Sequence, residues 1–190
     1  MIIGIALALT MLQACSHSAE KKATEATKET TKEKQSFFPV TDYIKGQIKE
    51  ISVNPMKYVT INDHTDSALL KIEDMPEAFN EFLHPEIDSL NMVTLFKESG
   101  FMDQTIDAFT FTYEPIRALP DSMALQHWDV YIDPETKKVR RIYMVKNAGP
   151  DKTIQLTWQG DKWCKISYIA NKPDGTSVVE KEIKIIWKFE

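Results

Sequence analysis

The chain has 190 residues, 43% of them hydrophobic and 27% charged, with a formal net charge of −5. That acidic balance speaks against a nucleic-acid partner, whose phosphates call for a basic face. Two cysteines permit at most one disulfide, and six glycines leave little material for phosphate-cradling loops.

Residues 2–14 carry no charge, and the amino group of Met1 is the only positive charge ahead of them. An export-signal apolar region spans roughly 7–15 residues, and a membrane-spanning helix needs about 20. The run therefore reads as a signal. It ends in Leu12-Gln13-Ala14-Cys15, which resembles the lipobox of bacterial lipoproteins. The resemblance implies that residues 1–14 are removed, that the Cys15 thiol carries a diacylglyceryl group, and that its new amino group is acylated. Two or three acyl chains anchor stably, since each buried CH₂ contributes about 0.8 kcal/mol. Ser16 stands where Asp would favour inner-membrane retention, and residues 17–22 lack an acidic export cluster. The resemblance therefore implies the periplasmic face of the outer membrane.

Residues 15–36 read as the lipidated cysteine plus a tether. From Ser16 to Ser36 there are five lysines and four glutamates, and nothing apolar is larger than Ala. Such a stretch cannot bury enough surface to offset its ordering entropy. From Phe37 to Glu190 aromatic and β-branched residues take over, with a net charge of −6. These residues amount to one domain. With Cys15 lipidated, Cys164 has no disulfide partner and is best buried.

The domain opens with a predicted helix in which Tyr43, Ile44, Ile48 and Ile51 share a face, weakened by Gly46. A hairpin follows, Lys57–Asn62 and Ala68–Ile72, joined by Asp63-His64-Thr65-Asp66. A second helix carries Met75, Phe79, Phe82 and Leu83 on one face, with Asp74 as its cap and Pro76 in its first turn. A third is expected from Leu90 to Glu98, stopped by Gly100. The period then changes to two: Phe109, Phe111 and Tyr113; Trp128, Val130 and Ile132; and Ile183, Ile185, Trp187 and Phe189. Asp133-Pro134-Glu135-Thr136 suits a type I turn. The expectation is an α+β domain: an antiparallel meander of about six to eight strands, with two or three helices, mostly N-terminal, packed on one face.

The hairpin at Gly160-Asp161 tests register. A two-residue turn would set Trp158 opposite Trp163 and Leu156 opposite Lys165. A three-residue loop instead puts Ile154, Leu156 and Trp158 on one face with Cys164, Ile166 and Tyr168. The apolar match favours the longer loop, which turns Cys164 inward and Trp163 outward with Lys165 and Ser167. The segment from Trp128 through Pro134 to Val139 is similar to the hairpin of PepSY-type domains, small secreted modules associated with protease inhibition. Lys137 and Lys138 stand where that family has Gly.

No H-E-x-x-H, G-x-S-x-G, Walker loop, G-x-G-x-x-G or C-x-x-C occurs. Asp63-His64-Thr65-Asp66 is the densest set of possible ligands, but the same residues suit a turn. His84 and His127 stand apart from it. Cys164 lacks a neighbouring base on its own side. No catalytic, cofactor-binding or metal-binding residue is therefore assigned, and no cofactor is expected. Trp163 and Tyr131 fall out of phase with their core sets, which makes them the candidate binding surface. The chain reads as a non-enzymatic binding or accessory module of the envelope, held to the membrane through lipid on Cys15 and meeting an envelope protein. The alternative is a carrier of an apolar ligand or lipid on a half-barrel sheet, and a hydrolase ranks below both.

Overall fold

The computed structural model describes residues 36–189. The signal run, Cys15 and the tether lie outside them. Nine antiparallel strands form one open sheet. They are β1 (Met56–Ile61), β2 (His64–Leu69), β3 (Phe96–Asp103), β4 (Ala108–Pro115), β5 (Leu125–Ile132), β6 (Val139–Asn147), β7 (Lys152–Gln159), β8 (Trp163–Asn171) and β9 (Ser177–Ile186). The spatial order is β2-β1-β9-β8-β7-β6-β5-β4-β3. From β3 to β9 each strand pairs with the next in sequence, and the β1–β2 hairpin joins this meander by laying β1 along β9. The antiparallel-sheet part of the α+β expectation holds, with nine strands instead of six to eight and few, short helices.

The ninth strand is β3, taken from the expected third helix. Residues 90–95 form turns, and the chain is extended from Phe96. Gly100 does not stop a helix. It lies inside β3 opposite Phe111, whose ring comes within 3.3 Å of where a Cβ would stand. Pairing with β4 overrides the local helical pattern, as tertiary context often does.

The helical elements are short. Helix α1 (Val40–Glu50) buries Val40, Thr41 and Ile44, with Tyr43 and Ile48 packed partly against the core. Thr41 Oγ1 accepts the Ile87 N–H at 2.7 Å, which ties the helix start to the segment before β3. Gly46 faces open space, so its cost is backbone entropy alone. The expected second helix is broken at Phe79 into α2 (Met75–Ala78) and α3 (Asn80–Leu83), after a 3₁₀ turn at Ile72–Asp74. Asp74 has helical backbone angles and caps nothing with its side chain. Met75, Phe79 and Phe82 are nevertheless buried, as their spacing requires.

Cross-strand partners share a face, so the register sorts the side chains. The inner face carries Tyr113, Trp128, Val130, Ile142, Met144, Leu156, Trp158, Cys164, Ile166 and Ile185, all buried. Trp128 stacks on Tyr113 with ring centroids 4.5 Å apart and meets Phe96 and Phe37 edge-on. Trp158 meets Phe79, Phe82 and Trp187 at 5.0–5.6 Å. Phe189 lies beyond β9 and is exposed, outside the alternation expected for it.

The β7–β8 loop has three residues, 160–162, with Gly160 at φ +44. Trp158 pairs with Cys164 and Leu156 with Ile166, which is the register the apolar match favours. The β1–β2 turn is tighter than expected: Asn62 and Asp63, both at positive φ, form it alone. Both residue types tolerate the left-handed region that a two-residue hairpin turn needs. His64, Thr65 and Asp66 therefore belong to β2. The β5–β6 loop spans 133–138, with the Asp133 carboxylate accepting the Glu135 and Thr136 N–H groups and Lys137 at φ +59. It is longer than the type I turn expected.

Candidate functional site

On the outer face the register assembles one row across the sheet. Trp163 pairs with Gln159, Arg141 with Tyr131, Tyr131 with Thr110, and Thr110 with Phe101. Ile142 pairs with Trp158, so Gln159 comes beside Arg141. The two residues singled out from sequence thus lie in one row, three strand spacings or about 14 Å apart. Both are half-buried.

Each ring is overlaid by a cation. Lys184 Nζ stands 5.0 Å from the Trp163 centroid, and the Arg141 guanidinium 4.0 Å from that of Tyr131. Contacts of this kind are worth about 0.5–1 kcal/mol at exposed sites. The Tyr131 hydroxyl lies 3.5 Å from Asp129, whose other oxygen accepts the Thr112 hydroxyl at 2.7 Å. Burial, and then the Asp129 charge, push the Tyr131 phenol above its ordinary value. It therefore keeps its proton and its capacity to donate at neutral pH.

Two buried polar atoms flank Tyr131 without a partner among the described residues: Thr110 Oγ1 and Arg141 Nε. A buried unpaired donor costs about 1–3 kcal/mol. A shallow pocket of about 200 Å³ adjoins them, lined by Ile106, Tyr131, Arg140, Arg141 and Gln159. Arg140 is already engaged, donating to the Ile106 carbonyl at 2.6 Å and to Asp133 at 2.7 Å. Arg141 also hydrogen-bonds the Tyr131 side chain, and its Nε is the arginine donor left without a partner. The arrangement suits recognition: flat aromatic area, a planar cation and a neutral phenol on a rigid sheet.

The other residues weighed from sequence do not join this row. His64 and Asp66 lie 3.2 Å apart on edge strand β2, both largely exposed. Among the described residues no group of three or more His, Cys, Asp or Glu is placed to hold a metal ion. Cys164 is fully buried between β7 and β9, and burial pushes its thiol well above its ordinary value. His127 lines a separate outer cleft of about 480 Å³ with Thr112, Glu114 and Asp129. Cys15 lies outside the described residues. Among those described, no helix is long and apolar enough to cross a membrane.

Sequence reasoning missed Arg141, Thr110 and Phe101. Arg141 alternates out of phase with Ile142 and Met144, a legible signal, but its place over Tyr131 depends on the β5–β6 register. That register contains two irregularities, one of them beside Tyr131. A groove of about 400 Å³ on the inner side, lined by Asp74, Glu77, Glu81, Lys57 and Lys181 beside Ile166 and Ile183, was also missed. It depends on how α2 and α3 lie against β8 and β9.

Comparison with protein-family profiles, with curated proteins and with solved structures finds no match to this chain.

Proposed function

We propose that the chain is a lipid-anchored, non-enzymatic binding module of the cell envelope, held through Cys15 at the periplasmic face of the outer membrane. Its outer sheet face docks a partner protein along the Trp163–Tyr131 row, and the partner presents a carboxylate to Arg141. The observation that carries this reading is the coincidence of two aromatic rings, an unpaired Arg141 Nε and a buried Thr110 hydroxyl in one cross-sheet row. Interfaces favour Trp, Tyr and Arg at their centres. A carboxylate meets a guanidinium in bidentate geometry, and Arg141 is half-buried, with part of its side chain open to the outer face.

The packed inner face supports docking over the carrier alternative. The volume an apolar ligand would occupy against the sheet is taken by Trp128, Trp158, Phe79 and Phe82.

The test is site-specific photo-crosslinking in intact cells. A photoreactive amino acid replaces Tyr131 or Trp163, with Asp174 on the opposite rim as control. A discrete adduct from 131 and 163, absent from 174 and lost in Arg141→Glu, is expected. Equal adducts from all three positions, or none from 131 and 163, would refute docking on this face.

A further inference from the structure

The meander places the β3–β4, β5–β6 and β7–β8 turns on one rim of the sheet. The β3–β4 hairpin ends there in an unusual composition. Phe101, Met102, Ile106 and Phe109 are 53%, 39%, 38% and 38% exposed, four large apolar side chains within nine residues. They do not share a face. Phe101 pairs with Thr110 on the outer side, Met102 pairs with Phe109 on the inner side, and Ile106 lies in the turn. Phe111, the next inner residue along β4, and Ile132, which pairs with Phe109, pack against the core, whereas Phe109 is not among the residues packed there.

We propose that this hairpin tip is a wedge that seats its rim on a phospholipid bilayer. A ribbon apolar on both sides would be only half covered by one packing layer, whereas lipid surrounds it. The flanking chemistry is that of an interface. Lys137 Nζ stands 5.2 Å from the Phe109 ring, where a long side chain can keep its charge at headgroup level. Tyr131 and Trp163, with Arg141 and Lys184 over their rings, lie in the row that ends at Phe101 in this hairpin. Amphipathic aromatics of this kind concentrate at membrane–water boundaries. Asp103 and Asp107 flank the turn, and the Asp103 carboxylate accepts the Thr105 N–H at 2.9 Å. They limit the depth, so side chains enter while the turn backbone stays among headgroups.

The wedge rests on the lipid-anchor reading for its supply of a nearby bilayer. The 21 residues between Cys15 and Phe37 reach at most about 70 Å, which keeps the domain within range of the surface. Tethering raises the effective concentration enough for a shallow contact to persist. It also orients the Trp163–Tyr131 row, so a docked partner would sit beside the lipid.

The test uses the full chain reconstituted in vesicles of phosphatidylethanolamine and phosphatidylglycerol. An environment-sensitive fluorescent amino acid replaces Ile106, or Asp174 as control, with unchanged circular dichroism as the check on folding. A blue shift at 106 is expected, with quenching by spin-labelled lipid several-fold greater than at 174. A probe at 106 as water-exposed as that at 174 overturns the wedge, as does one that shifts only when a protein partner is added. Mass spectrometry of Cys15 separates the two readings. Lipid on Cys15 with an unshifted probe removes the wedge alone. A bare Cys15 with a shifted probe removes the anchor and leaves the wedge.

Discussion

Among the described residues Lys146 is the one buried charged side chain, and its partner makes a sharp prediction about stability. Its side chain is 5% exposed. Nζ donates to the backbone carbonyl of Glu81 in α3 and, at 2.9 Å, to the Glu81 carboxylate. The Glu81 side chain is 34% exposed, so the pair is dry at one end and hydrated at the other. Breaking a fully buried pair costs about 3–5 kcal/mol, because an uncompensated charge remains. Glu81→Gln keeps the carbonyl acceptor and a solvated amide, which lowers the expected cost to about 1–3 kcal/mol. Lys146→Met removes the charge that needs a partner and keeps the volume, so it should fall within about 1 kcal/mol of wild type. For a domain of this size 1 kcal/mol moves Tm by about 2–4 °C. Glu81→Gln should thus lower Tm by about 2–12 °C and Lys146→Met by less than about 4 °C. Added to Lys146→Met, Glu81→Gln should cost almost nothing. Urea and thermal unfolding followed by tryptophan fluorescence measure all three. A Lys146→Met variant less stable than Glu81→Gln would refute the argument, since it would make the ion pair a net source of stability.

Asp133 and Cys164 carry the remaining predictions. The Thr136 N–H, and then the Arg140 guanidinium and the Thr136 hydroxyl, hold the Asp133 carboxyl well below the ordinary 3.8. With the folded value depressed, the stabilisation is complete above about pH 4 and fades as pH falls below it. Asp133→Asn should flatten the acid limb of the stability–pH curve below pH 4, and an unchanged limb would count against the loop geometry. Cys164 should resist thiol reagents at neutral pH until the domain unfolds, with labelling tracking global opening. Cys164→Ser, which buries a hydroxyl in an apolar setting, should cost about 1–3 kcal/mol. Rapid labelling of the folded protein would contradict the burial.

The strands from Ala108 onward were legible because period-two alternation is a backbone property that partners only reinforce. The β7–β8 register was legible too, since only one loop length keeps Leu156 and Ile166 on the same side. The segment around Phe96 was not. Its residues carry a tolerable helical pattern, and only β4 reveals that Gly100 is there to admit the Phe111 ring. Asp63-His64-Thr65-Asp66 misled for a related reason. All four residues suit turns, but Asn62 and Asp63 complete one by themselves, which commits the other two polar residues and the histidine to a strand. For the candidate site, phase alone turned Trp163 and Tyr131 outward. Their common row, and the Arg141 and Thr110 atoms that flank it, follow only from the sum of four pairings.

The partnership of β1 with β9 has a consequence for the order in which the protein is made. Every other pairing joins strands adjacent in sequence and can form as they emerge. β1 alone waits for a strand more than a hundred residues downstream, and contacts of that separation are the slow ones in folding. Until Ser177–Ile186 is present, Ile185 cannot fill its place beside Cys164, and β8 offers an open edge. A nascent chain of this design stays unfinished until β9 is made, and the hairpin of β1 and β2 has no third strand to lie against until then.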